Sequence, residues 1–120
     1  MNLRTRRIEL RGPAGVLEAL LDSPGPEAPL RGTAVIAHPH PLFGGTMENK
    51  VVQTMARAFV QSGWTAVRFN FRGVGASQGQ HDEGRGEVDD MLAVVSLAAP
   101  EGPLALAGFS FGSHVASRAL

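Results

Sequence analysis

The chain has 120 residues, 43% of them hydrophobic, and its 11 basic side chains balance its 11 acidic ones. A chain of this length forms one domain at most, and zero net charge argues against nucleic acid or an anionic membrane as a partner, because both require a basic surface. There is no cysteine, which excludes a disulfide framework and a thiolate metal site and is consistent with a cytoplasmic location. No apolar run approaches the ~20 residues that cross a bilayer.

The N-terminal part of the chain predicts a β-hairpin followed by a buried strand. Residues 4–11 and 15–22 alternate loosely between apolar and polar side chains, and a Gly-Pro-Ala-Gly turn separates them. Their arginines favour a position at the edge of a sheet. The segment Ser23 to Pro29 holds three prolines and predicts a loop. Residues 33–37 form a continuous apolar run, which is typical of a strand buried on both faces.

Helices then alternate with strands. A helix is expected to begin near Thr46, a plausible N-cap, and to end at Gly63, with one apolar face made of Val51, Val52, Met55, Ala56, Phe59 and Val60. A buried strand over 64–71 and a glycine-rich loop over 72–79 come next. Strands that alternate with helices predict a mostly parallel sheet with helices on both faces.

A second helix is expected over about 86–99. Its inward face consists of four apolar side chains, Val88, Met91, Leu92 and Val95. Asp89 and Asp90 are interpreted as solvent-facing charges on the opposite side of this helix. His81, in the polar segment before the helix, is interpreted as a solvated loop residue.

The most specific chemical motif is Gly108-Phe109-Ser110-Phe111-Gly112, which has the spacing G-x-S-x-G. An apolar strand ending at Leu106 precedes it, and a helix of small residues follows. This context predicts a nucleophile elbow, a sharp strand-to-helix turn that exposes a serine hydroxyl and strains the serine backbone. The two glycines are required because the residues two before and two after the serine crowd each other. Ser110 is therefore the candidate nucleophile for acyl transfer through a covalent intermediate.

An acyl-transfer intermediate carries an oxyanion, which requires preorganised hydrogen-bond donors. The expected donors are the N–H of Phe111 and one N–H from the loop that follows the third strand, over residues 38–45. Pro39 and Pro41 have no N–H to donate, which leaves His40 and Leu42 as the candidates. The sequence does not decide between these two.

Two other functions are less consistent with the residues. His38 and His40 have a metal-ligand spacing, but the neighbouring prolines and the lack of a nearby third ligand favour histidines that brace the loop by hydrogen bonds. The glycines of the 72–79 loop miss the G-x-G-x-x-G spacing of a dinucleotide site by one residue. Arg72 and Ser77 are expected to hold that loop in shape, and we expect neither a metal nor a cofactor.

Three segments together resemble the N-terminal half of an α/β-hydrolase, in the small serine-hydrolase branch with a His-Pro-His-Pro-Leu-x-Gly-Gly loop. The first is His38 to Gly45, together with Met47, Asn49, Lys50 and Val51, which follow it in the sequence. The second is Phe69 to Ser77, and the third is Gly108 to Gly112. The resemblance implies a doubly wound α/β sheet with an N-terminal antiparallel hairpin and the strand order 1-2-4-3-5. It also implies a carboxylesterase-like enzyme whose partners are small-molecule esters, thioesters or related acyl compounds.

The resemblance also implies a domain organisation. In this fold the catalytic acid and base follow the serine along the chain, in the order Ser, Asp or Glu, His. Only ten residues follow Ser110 here, so both groups are expected beyond Leu120. Residues 1–120 are then the N-terminal portion of a single α/β-hydrolase domain, ending in the helix after the elbow and inactive alone. The alternative is a catalytically inert half-domain that needs a partner to fold.

Overall fold

The computed structural model describes residues 4–25 and 29–120, so the middle of the expected proline-rich loop lies outside the described residues. The elements, in chain order, are β1 (Arg4–Gly12), β2 (Gly15–Ser23), β3 (Gly32–Ala37), a short 3-10 turn (Pro41–Phe43), α1 (Lys50–Gln61), β4 (Trp64–Phe69), α2 (Arg85–Ala98), β5 (Leu104–Gly108) and α3 (Phe111–Arg118). This order of elements confirms the predicted one.

The described strands form one mixed sheet in the order β1-β2-β4-β3-β5, which confirms the predicted order. The hairpin strand β2 pairs antiparallel with β1 and with β4. β3 pairs parallel with β4 on one side and with β5 on the other. In this register Ala37 lies beside Gly108, so the last residues of β3 and β5 end together at the same edge of the sheet.

Side chains alternate across the central strands and supply two apolar layers. On one face, α2 and α3 cover the sheet, and the buried side chains there include Val35, Val67, Phe69, Met91 and Val115. On the other face, α1 packs through Val52, Ala56 and Val60 onto Ile36 and Ala66. Because β3 and β4 are covered on both faces, their near-continuous apolar sequence is required, as the sequence analysis expected.

The start of α1 differs from the prediction. The helix begins at Lys50, and its N-cap is Asn49, whose side chain accepts hydrogen bonds from the N–H groups of Val51 and Val52. Thr46 instead caps the preceding turn, where its hydroxyl accepts from the N–H of Glu48. Two plausible N-cap residues lie three positions apart, and the chain uses the second. As a consequence, Val51 lies in the first turn and is 40% exposed rather than part of the buried face.

Replacing Asn49 by alanine is expected to lower the free energy of unfolding by about 1 kcal/mol, because two N–H groups of α1 lose their acceptor. Thr46→Ala is the matched control and should cost clearly less, since it removes one exposed turn contact. Urea unfolding of both variants measures the difference. A larger loss for Thr46→Ala would contradict the assignment of the cap.

The burial of α2 also corrects the prediction. Asp90 is fully buried rather than solvent-facing, as is Glu87, while Asp89 is exposed as expected. Leu92, which was expected to face inward, is 43% exposed. The inward face of α2 is therefore apolar at Met91 and Val94 but carries two carboxylates toward its N-terminal end.

Candidate active site

The turn between β5 and α3 places Ser110 at the surface. Ser110 has φ 58° and ψ −118°, a backbone conformation that a residue with a side chain rarely adopts, and α3 begins at the next residue. The residue is exposed, whereas the glycine two positions after it is buried. The chain thus reverses sharply between strand and helix and directs the serine away from the packed interior.

Two glycines make this reversal sterically feasible. A Cβ on Gly108 would collide with the backbone of Gly112, and a Cβ on Gly112 would collide with the carbonyl group of Ala37 at the end of β3. The N–H of Phe109 donates to the Ala37 carbonyl oxygen at 3.2 Å, which joins the turn to the neighbouring strand. The predicted crowding of the two glycines is confirmed, and the end of β3 contributes to it.

The loop after β3 is organised by its two histidines. The His38 ring is fully buried; its Nδ1 lies 2.7 Å from the Pro39 carbonyl oxygen, and its Nε2 accepts from the N–H of Phe71 at 3.1 Å. These contacts require the neutral ring with the proton on Nδ1. Backbone groups therefore occupy both ring nitrogens, as expected for a bracing histidine.

The candidate oxyanion donors differ in their hydrogen bonding. The N–H of Leu42 donates to Nδ1 of His40 at 3.1 Å. In the described parts of the chain, no group accepts a hydrogen bond from the N–H of His40 or from the N–H of Phe111. The rings of His40 and Phe111 contact each other, with centroids 4.6 Å apart, so the two residues with uncommitted N–H groups are neighbours.

The loop after β4 is held by polar side chains. The Ser77 hydroxyl donates to the Asn70 carbonyl oxygen at 2.7 Å and accepts from the N–H of Glu18 at 2.9 Å. Arg72 forms a bidentate ion pair with Asp90, with Nη2 2.9 Å from Oδ1 and Nε 3.1 Å from Oδ2. This carboxylate raises the pKa of the Arg72 guanidinium. The expected structural roles of Arg72 and Ser77 are confirmed.

His81 is not the solvated residue that the sequence suggested. Its side chain is only 12% exposed, and Nδ1 lies 3.0 Å from Oε2 of the buried Glu87, although the N–H direction does not meet hydrogen-bond geometry. Glu87 also accepts from the N–H groups of Asp82 and Gly84, a capping-box arrangement at the start of α2. The sequence signal for this arrangement is a Glu at the third helical position, Glu87.

Metal-ligand clusters and membrane-spanning helices were also considered within the described residues. Within residues 4–25 and 29–120, no group of three or more His, Asp or Glu side chains could hold a metal ion. Over the same residues, no helix has the length and apolar character needed to cross a membrane.

Burial lowers the pKa of His38 from 6.5 to about 4, because the charged ring would lose its hydration. The unfolded chain therefore binds the proton more readily than the folded one. The contribution of this residue to stability is complete above pH 6.5 and is lost as the pH falls toward 4, by about 3 kcal/mol in total.

This loss can be measured by urea unfolding of the protein at pH 7 and pH 4.5. The His38→Gln variant retains an acceptor for the N–H of Phe71 but does not titrate, so its stability should fall less over the same range. Equal pH dependence in the two proteins would contradict the assignment.

The comparisons with known proteins support the fold described above. The model of the family described as X-Pro dipeptidyl-peptidase (S15 family) matches residues 17–120. An uncharacterised protein of Rickettsia prowazekii (strain Madrid E) is 42% identical over 115 residues, which cover 92% of this chain and 47% of that protein.

Two solved structures are similar over most of the chain. One is an α/β serine hydrolase without a lid from Xanthomonas campestris, with 45% identity, a TM-score of 0.89, and coverage of 99% of this chain and 56% of that one. The other is an α/β serine hydrolase homologue from Coxiella burnetii, with 46% identity, a TM-score of 0.88, and coverage of 94% and 55%. The chain thus spans about half the length of these relatives. It belongs to the S15 family of α/β-hydrolases.

Proposed function

We propose that this chain carries the nucleophile of a serine hydrolase that cleaves esters, thioesters or related acyl compounds through an acyl-enzyme on Ser110. The observation that carries the proposal is the turn itself. An exposed serine with φ 58° lies between β5 and α3, directly before Phe111, and the ring of Phe111 contacts the ring of His40. Neither the N–H of Phe111 nor the N–H of His40 has an acceptor within the described residues. Strain of this kind, about 1–3 kcal/mol, persists where the surrounding structure requires it and is often found at reactive residues.

In the proposed reaction, Oγ of Ser110 attacks the carbonyl carbon of the substrate while a base removes the hydroxyl proton. The carbonyl oxygen becomes an oxyanion, and the N–H groups of Phe111 and His40 donate to it. Collapse of the intermediate expels the alcohol or thiol, which takes the proton from the base. Water then attacks the acyl-enzyme in the same way and releases the acid. The N-terminus of α3 adds a favourable dipole at the oxyanion.

The choice of His40 over Leu42 as second donor rests on hydrogen bonding. The N–H of Leu42 already donates to the His40 ring, so using it would break a contact inside the loop. The N–H of His40 carries no such cost. An uncommitted donor is preorganised for a charge that develops only in the transition state.

We further propose that the chain is the N-terminal portion of one α/β-hydrolase domain, and that the catalytic acid and base follow Leu120. β5 lies at the edge of the described sheet, and Leu104 within it is 43% exposed. Such an apolar edge favours pairing with further strands. The same edge is consistent with the alternative, an inert half-domain completed by a partner. A cytoplasmic location and a reaction without a cofactor belong to the same proposal.

A fluorophosphonate probe tests the nucleophile in the full-length protein, because it reacts only with an activated serine. Mass spectrometry should locate the label on Ser110, and Ser110→Ala should abolish it. Ser117→Ala, which removes another exposed serine of α3, is the matched control and should be labelled like the unmodified protein. A folded protein that takes no label, or that is labelled elsewhere, would overturn the proposal.

Substrate class requires a separate measurement. Rates with nitrophenyl esters, acyl thioesters and an X-Pro amide, measured side by side, compare the proposed acyl substrates with the peptidase activity that the family description names. We expect the esters and thioesters to be hydrolysed faster than the amide. The reverse order would replace the proposed substrate class while leaving Ser110 as the nucleophile.

A further inference from the structure

The ring of His81 lies against both residues that we propose as oxyanion donors. Its centroid is 5.0 Å from that of His40 and 5.9 Å from that of Phe111, and the His40 and Phe111 centroids are 4.6 Å apart. We call these three residues the ring cluster. Each comes from a different segment: His40 from the loop after β3, His81 from the loop before α2, and Phe111 from the first position of α3.

The position of His81 is fixed from α2. The fully buried Glu87 carboxylate accepts from the N–H groups of Asp82 and Gly84 and lies 3.0 Å from the His81 ring, so the loop segment and the helix start form one unit. The ion pair between Arg72 and Asp90 holds the same helix against the loop after β4. The His81 side of the ring cluster is thus held in position by α2.

The two proposed donors, His40 and Phe111, are held in position less directly than His81. The N–H of Phe109 donates to the carbonyl oxygen of Ala37. Phe109 lies two residues before Phe111, and Ala37 lies three residues before His40, so this bond fixes where the two segments cross.

Beyond that crossing point, the rings of His40 and Phe111 contact each other, and both contact the ring of His81. Phe43 packs on His40 and Phe71 packs on Phe111 from outside the cluster. An oxyanion hole requires both N–H groups to reach one oxygen, and a displacement of about 1 Å can cost about 100-fold in rate.

We propose, on the basis of the proposed function, that His81 is a positioning residue: its ring holds His40 and Phe111 at the spacing that lets their N–H groups bind one oxyanion. The ring acts through its shape, not through its nitrogens. Both ring nitrogens are buried and neither makes a hydrogen bond of good geometry within the described residues. His81 does not touch the substrate in this proposal.

The test compares His81→Ala with His81→Phe in the full-length protein. Removing the ring should lower kcat about 10-fold with KM nearly unchanged, because the oxyanion exists only in the transition state. The affinity for a trifluoromethyl ketone, which forms the tetrahedral adduct, should fall by about the same factor. His81→Phe keeps the ring and should restore both values to within about two-fold of the unmodified enzyme.

A control separates positioning from general destabilisation. Phe59→Ala removes another partly buried ring, which packs on Trp64 far from the ring cluster, and should lower stability without changing kcat. If His81→Ala does not fold, His81→Leu keeps the bulk without the flat ring, and the same loss in kcat is expected.

The outcomes distinguish this inference from the proposed function. If the enzyme is labelled at Ser110 but His81→Ala retains full kcat and inhibitor affinity, the positioning role is wrong. A His81→Phe variant as slow as His81→Ala also overturns it, since the nitrogens would then matter. If Ser110→Ala retains activity and takes the label, the proposed function itself fails.

Discussion

Replacing Ser110 by alanine is expected to lower kcat of the full-length enzyme by about four to six orders of magnitude, the usual cost of deleting the nucleophile of a serine hydrolase. The fold should survive, because the side chain is exposed and its hydroxyl makes no hydrogen bond recorded among the described residues. Steady-state rates with a nitrophenyl ester measure the loss, and circular dichroism checks the fold. A residual rate within 100-fold of the unmodified enzyme would exclude Ser110 as the nucleophile.

A glycine at the same position separates the strain from the chemistry. Ser110→Gly should be as inactive as the alanine variant but more stable than it by about 1 kcal/mol, because glycine adopts φ 58° without a steric penalty. Urea unfolding of the two variants measures this difference. An alanine variant at least as stable as the glycine variant would show that the turn stores no strain.

Replacing Asp90 by asparagine is expected to destabilise the protein by about 3–5 kcal/mol, the largest effect on stability that we expect. Only 13% of the Arg72 side-chain surface is exposed, and the fully buried Asp90 carboxylate supplies the counter-charge of its guanidinium. Asparagine has nearly the same shape, so the packing of α2 is kept while the buried cation loses its partner.

Asp89→Asn is the matched control, since it makes the same chemical change one position earlier on the exposed side of α2. It should change the free energy of unfolding by less than about 0.5 kcal/mol. Equal effects of the two substitutions in urea unfolding would contradict the burial of Asp90. The pair also tests which of the two neighbouring aspartates is buried, a difference that the helical pattern of the sequence does not predict.

The elements could be predicted from the sequence because their signals are local. The apolar runs of β3, β4 and β5, the turn of the hairpin and the paired glycines of the elbow each depend on residues within a few positions of one another. A strand covered on both faces must be apolar throughout, and a turn with a backbone contact must have a glycine. Both signals can be recognised within a short segment, although Gly112 is also required by the Ala37 carbonyl group at the end of β3.

The buried polar groups could not be predicted in this way. Asp90 was interpreted as a surface charge, because acidic residues are almost never fully buried unless paired, and the helical pattern did not single out Glu87. The partner of Asp90 is Arg72, in the loop after β4. Glu87 accepts from the N–H groups of Asp82 and Gly84, just before the start of its own helix. Burial of a charge is decided by where its partner lies, and periodicity carries no such information.

The sequence by itself determined the order of the elements, the strand-to-helix turn at Ser110 and the pair of candidate donors, His40 and Leu42. Only the tertiary structure showed that their hydrogen bonding differs, since the N–H of Leu42 donates to the His40 ring. It also brought His40, His81 and Phe111 together from three segments. The physical reason is that these hydrogen bonds and ring contacts depend on the distances that the packed sheet and helices impose, whereas the glycines that permit a sharp turn can be recognised from the residues of the turn.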